Sequence, residues 1–93
     1  MNVGRAIIEL RKEKDLSQGE LAEGVGISQS YLSQIENGHK EASTNLVKKM
    51  AEQLDQPTAA ILMFALDEED VATEKVEAFK VLSPLMKELM KGI

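Results

Sequence analysis

The stretch from Leu16 to Asn37, LSQGELAEGVGISQSYLSQIEN, decides how the chain folds. Ser17 and Glu20 form an S-x-x-E capping box, in which hydroxyl and carboxylate each satisfy a backbone N–H that a helix start leaves unpaired. Leu16 and Leu21 flank the box at staple positions. Gly26 can take the left-handed conformation that ends a helix, because it has no Cβ to clash. Ser28 then caps a second helix, with Ile27 and Leu32 as its staple. Two helix starts this close together leave room for one tight turn between them. The predicted unit is a helix-turn-helix with helices over Gln18 to about Val25 and Gln29 to Glu36.

Outward from this unit, further residues fall into an ordered set. Val3, Ile7, Leu10 and Arg11 lie in a first helix, SQGELA runs from Ser17 to Ala22, and Gly26 sits in the turn. ISQSYLSQIENG follows from Ile27 to Gly38, and Ser43 opens a fourth helix. This set resembles the DNA-binding unit of the Cro/C1 repressor family, the XRE-type helix-turn-helix proteins, from about Val3 to Leu62. The resemblance implies an all-α fold: a five-helix, lambda-repressor-like DNA-binding domain over residues 1–66. Residues 67–93 form a C-terminal helical extension beyond it.

Size and composition agree with one compact helical domain. The chain has 93 residues, no Trp, no Cys, and only Tyr31, Phe64 and Phe79 as aromatics, so its core must be aliphatic and methionine-filled. Lack of Cys removes disulfides, thiolate metal sites and cysteine nucleophiles. A cytoplasmic protein is the plain default, with no signal peptide. The longest apolar run, Ala59 to Leu66, is eight residues, against about 20 needed to span a bilayer. No nucleophile–base pair, carboxylate dyad or phosphate-cradling loop is visible, so no enzyme, cofactor or small-molecule ligand is expected. The net charge of −5 runs against the usual basic face of nucleic-acid binders. Residues 1–56 hold seven Lys/Arg against nine Asp/Glu, and residues 57–93 four against seven. Only the docking face need be locally neutral or positive, and modest non-specific affinity follows.

Helix one is expected from Asn2, a possible N-cap, to about Lys14, with Val3, Ala6, Ile7 and Leu10 forming an apolar stripe. Arg11 is either a solvated charge among its neighbours or, as the resemblance implies, an architectural ion pair with Glu36. In helix two, Ala22 is small enough for a close helix crossing. Gly19 and Gly24 are costly there, at about 0.5–1 kcal/mol each relative to Ala.

Helix three buries Leu32 and Ile35 and presents Gln29, Ser30, Tyr31, Ser33 and Gln34, with no charge before Glu36. Ordinary exposed helix faces carry Lys and Glu. A row of amides and hydroxyls instead offers donors and acceptors without repelling phosphates, and Gln can pair bidentately with adenine. The resemblance assigns base edges to Gln29, Ser30 and Gln34, less strongly to Ser33, and a backbone phosphate to Tyr31. Gln18 and Ser28 start helices, where N–H groups favour phosphate oxygens. The resemblance adds that Gln18 braces Gln29. In the loop, Asn37, His39 and Lys40 are candidates for backbone contact. His39 has no second ligand nearby, so no metal site is expected. Glu41 carries the wrong sign, and Ala42 replaces a family proline.

Helix four is expected from the Ser43 cap to about Leu54, burying Leu46, Val47, Met50, Ala51 and Leu54. Helix five has Pro57 in its first turn and adds Ile61, Leu62 and Phe64 to the core. Asp67 then caps a sixth helix running to about Leu82, and Ser83-Pro84 restarts or kinks it. Phe79, Leu82, Met86, Leu89 and Ile93 recur at alternating three- and four-residue steps, with Val76 and Leu85 widening the seam. This seam packs either on the domain's own core or, preferably, on a second copy. Together these features predict a DNA-binding transcriptional regulator, a repressor by preference, bound as a homodimer to an inverted repeat in double-stranded DNA. The alternative is a protein–protein module of antitoxin or adaptor type with a secondary DNA role.

Overall fold

A computed structural model describes residues 1–91. Six α-helices follow in order: α1 Val3–Glu13, α2 Gln18–Val25, α3 Gln29–Glu36, α4 Thr44–Gln53, α5 Thr58–Ala65 and α6 Val76–Lys91. Polar side chains start the first four. Asn2, Ser17, Ser28 and Ser43 accept from the N–H groups of Arg5, Glu20, Tyr31 and Leu46 at 2.9–3.1 Å. The Ser17 box is complete, since Glu20 accepts from the Ser17 N–H at 2.9 Å. That backbone donor, followed by the serine hydroxyl, holds the Glu20 carboxyl below its ordinary pKa.

The same four helices also end alike. Asp15, Gly26, Gly38 and Asp55 have φ of 56°, 77°, 80° and 53°. After each, the next N–H reaches back to a carbonyl of the last turn: Leu16 to Arg11, Ile27 to Ala22, His39 to Gln34 and Gln56 to Ala51, at 2.8–3.0 Å. This left-handed reversal satisfies carbonyls that a helix end would leave bare. Glycine takes it without strain. Aspartate is among the few other residues that tolerate it.

Ile7, Leu10, Leu21, Leu32, Met50, Leu54, Ile61 and Phe64 are fully buried and join all five helices of the domain into one core. Leu62 is not part of it. Ala60, Ile61, Phe64 and Ala65 occupy the inward face of α5, and Leu62, a rotation away, is 44% exposed. Pro57 is extended and precedes α5 as its N-cap residue, rather than lying in its first turn.

The extension also departs from expectation. Asp67 opens a single 3-10 turn, Glu68–Asp70, and a second one, Thr73–Lys75, follows before α6. Val71 is extended between the two. The carboxylates of Asp67 and Asp70 bind cationic groups at the start of α1, so this first turn answers to tertiary contacts rather than to helix propagation. Beyond it α6 is one helix, with Pro84 inside it. Proline removes the bond to the Lys80 carbonyl, but Lys80 and Pro84 lie on an exposed side where water can replace it. No described helix is long and apolar enough to cross a membrane.

Gly4 sets the distance between α1 and α3. A Cβ there would collide with the Ile35 carbonyl oxygen and lie 2.7 Å from that of Glu36. Alanine normally stabilises a helix interior relative to glycine by about 0.5–1 kcal/mol. At this backbone-to-backbone contact the sign reverses, and Gly4→Ala is expected to cost about 1–3 kcal/mol through overpacking. Urea unfolding of the two proteins measures this, and an equally or more stable Gly4→Ala chain would contradict it.

Candidate nucleic-acid interface

α3 lies with Leu32, Ile35 and Glu36 inward. Gln29, Ser30, Tyr31 and Gln34 are exposed, Ser33 is half-buried, and no charged side chain interrupts this surface. Ser28 and Asn37 stand exposed at its two ends, and His39 and Lys40 are exposed in the loop that follows. Asn37 points its amide toward the Ser33 hydroxyl at 3.5 Å, the outer limit of a hydrogen bond. Glu41 is exposed beside Lys40, so the loop carries little net positive charge.

The polar surface is tied to the interior through Glu36, whose side chain is only 3% exposed. Arg11 meets it with two donors, Nε to Oε2 at 2.9 Å and Nη2 to Oε1 at 3.1 Å, and spends Nη1 on the Leu16 carbonyl at 3.1 Å. The guanidinium thus joins the end of α1, the entry to α2 and the end of α3. A planar fork suits this three-way joint, which a lysine ammonium would not fill.

Gln18, in the first turn of α2, also donates Nε2 to Glu36 Oε1, at 3.0 Å. A carboxylate can only accept, so the Gln18 amide is held with its nitrogen inward and its oxygen outward. That oxygen accepts from Gln29 Nε2 at 3.3 Å. Direction therefore passes along the chain from Glu36 to Gln18 to Gln29. The Gln29 carbonyl oxygen and its second N–H remain as an acceptor and a donor side by side.

The two glycines of α2 differ. A Cβ on Gly19 would stand 3.3 Å from Gln29 Oε1, so glycine leaves that amide its room. Gly24 faces Gln53, whose side-chain oxygen would lie 2.6 Å from an added Cβ. Both residues are exposed, so the flexible end of Gln53 can move aside and the glycine there has no packing explanation. Sequence reasoning overlooked Gly4 and Arg5. A glycine within the first turns of an amphipathic helix was the available signal for the former; Arg5 gave none, because its partners are distant in sequence.

The proposed seam residues of α6 divide. Phe79 is half-buried on the side of the helix that also buries Ser83, whereas Leu82, Met86 and Leu89 are exposed, at 56%, 37% and 65%. Val81 and Leu85, both 63% exposed, share their side of the helix. Ile93 lies outside the described residues. No group of three or more His, Cys, Asp or Glu among the described residues could hold a metal ion.

A helix-turn-helix family model matches residues 7–61, more than half of the chain. The chain belongs to the XRE-type helix-turn-helix family, which is non-enzymatic. It is 32% identical over its whole length to the immunity repressor protein of Bacillus phage phi105, of which it spans 65%. It spans about half the length of two other relatives, the ImmF control region 10 kDa protein of the same phage and the transcriptional regulator SinR of Bacillus subtilis, the latter at 39% identity over 61 residues. Its fold is similar to the clp gene regulator ClgR of C. glutamicum, with a TM-score of 0.68, 32% identity, and coverage of 77% of this chain and 91% of that one. It is also similar to SinR solved in complex with DNA, with a TM-score of 0.61, 38% identity, and coverage of 64% and 97%.

The Arg11–Glu36 joint yields a stability prediction. Arg11→Ala strands a buried carboxylate, and removing one partner of such a pair costs about 3–5 kcal/mol. Arg11→Lys is expected to recover only part of this loss, since one ammonium cannot reproduce three directed donors. Chemical denaturation of the three chains measures both effects. A change below about 1 kcal/mol for Arg11→Ala, the size typical of exposed pairs, would contradict the role assigned to Glu36.

Proposed function

We propose that the chain binds double-stranded DNA by placing α3 in the major groove, and that it acts as a transcriptional regulator, by preference a repressor. The observation that carries this reading is the uncharged face of Gln29, Ser30 and Gln34, with Gln29 held in one amide orientation by the Gln18–Glu36 chain. Its free oxygen and N–H match the N6 donor and N7 acceptor of adenine. Ser33 contributes at the edge of the same surface. Tyr31, Ser28, Gln18, Asn37, His39 and Lys40 surround it as phosphate contacts, the helix starts supplying oriented N–H groups where cations are few. The SinR structure in complex with DNA supports DNA binding by a chain of this fold.

Two copies would bind an inverted repeat, with their α3 helices about 34 Å apart, one DNA turn. The exposed apolar side of α6, from Val81 and Leu82 to Leu89, supports a second copy as its cover. Leu82, Leu85 and Leu89 follow at steps of three and four residues, the spacing of a helix–helix seam. Blocking a promoter by occupancy would then be the regulatory act. The acidic total supports a second reading, a module whose main partner is a protein bound through α6.

Selection of bound duplexes from a random pool, followed by titration with salt, tests the choice. DNA binding predicts a selected half-site and affinity that falls steeply with salt. A chain with no duplex preference would support the second reading. On the selected site, Gln29→Ala and Gln34→Ala are each expected to cost about 1–3 kcal/mol and to relax specificity at one position. An unchanged operator preference would remove these residues from the base-reading surface. Leu85→Glu is expected to leave half-site affinity intact while abolishing dimers in sedimentation; persistent dimers would place the contact elsewhere.

A further inference from the structure

The junction between the five-helix domain and α6 is bound back to the start of α1. Arg5 Nη1 donates to Asp67 Oδ1 at 2.6 Å, and its Nη2 to the Phe64 carbonyl at 3.1 Å. The Asn2 N–H donates to the neighbouring Ala65 carbonyl at 2.7 Å, and the Met1 amino group to Asp70 Oδ1 at 2.8 Å. The last carbonyls of α5, which the helix cannot satisfy itself, are thereby taken by α1. Arg5 touches both sides of the exit, the end of α5 and the first acidic residue beyond it. Past the junction, α6 rests on α5 by one side only, with Lys87 Nζ 5.4 Å and Lys91 Nζ 5.9 Å from the centre of the Phe64 ring.

We infer that Arg5 is a positioning residue for operator architecture: by gripping Asp67 and the Phe64 carbonyl, it sets the angle of α6 and so the half-site spacing that a dimer reads. This rests on the reading of α6 as the dimer element. The lever is long. Along α6, 16 residues and about 24 Å long, a tilt of about 5° at the junction moves the far end by about 2 Å, more than half of a base-pair step of about 3.4 Å. Base contacts on α3 choose the half-site sequence, and Arg5, which lies in a different helix, has no part in that choice. Sequence and spacing specificity are therefore separable by mutation.

The test uses the full chain and duplexes carrying two selected half-sites at graded separations. For wild type, one separation should bind best. Arg5→Ala and Asp67→Asn are expected to keep the half-site sequence, the affinity for a single half-site and the dimer fraction. Their preference for the best spacing over one two base pairs longer should fall about two- to fivefold, the effect of losing a half-exposed ion pair. Arg5→Lys, which retains the charge opposite Asp67, should recover part of that preference. A wild-type spacing profile in Arg5→Ala and Asp67→Asn would overturn the inference, as would loss of single half-site affinity equal to the loss on paired sites. A wild-type chain that is monomeric on DNA, or indifferent to spacing, would overturn the dimer reading and the inference with it.

Discussion

A carboxylate buried among helices is costly unless its charge and lone pairs are all engaged, and Glu36 is such a group. Arg11 supplies the charge and two hydrogen bonds, and Gln18 supplies a third. Because Arg11 also holds the Leu16 carbonyl, one anion aligns the end of α1, the start of α2 and the end of α3. An apolar residue at position 36 could pack there with less desolvation. It could not direct the Gln18 amide, and the outward face of α3 would lose its fixed donor–acceptor sense. The buried ion pair thus gives the α3 surface a geometric definition that an apolar pair would not supply.

This arrangement bears on how an acidic chain would bind DNA. With Lys40 opposed by Glu41, the electrostatic share of affinity would be small. More would then depend on directed hydrogen bonds, which need side chains already oriented. Ordering a free glutamine on binding costs rotamer entropy of order 1 kcal/mol or more. Gln29, already bonded to Gln18, has given up part of that freedom in the folded protein. Gly19 belongs to the same economy, since a larger residue would crowd the amide it leaves free.

Much of the domain was legible because its signals are local. The Ser17 box, the Ser28 and Ser43 caps and Gly26 each act within four residues, and α2 to α4 start where those residues place them. The Arg11–Glu36 pair came from resemblance; the residues alone left a solvated arginine open. Helix α5 cannot be read for orientation, because TAAILMFA is apolar on nearly every side and has no preferred face, so nothing local marks Leu62 as outward. The extension failed for a different reason. Its first turn is shaped by Arg5, 62 residues before Asp67, and no local pattern reports such a contact. Likewise, aspartates at 15 and 55 look like ordinary surface charges until their backbone angles are known.

The most direct measurement is a side-chain amide NMR titration of the full chain with its selected duplex. The account predicts that the NH2 resonances of Gln29 and Gln34 move on binding, while the Arg11 guanidinium signals, enclosed with Glu36, stay in place. Glu36→Gln, if folded, should broaden the Gln18 and Gln29 amide signals before any DNA is added, because an amide at position 36 no longer imposes one direction. Perturbation confined to α6, with the Gln29 and Gln34 amides unmoved at saturation, would contradict it.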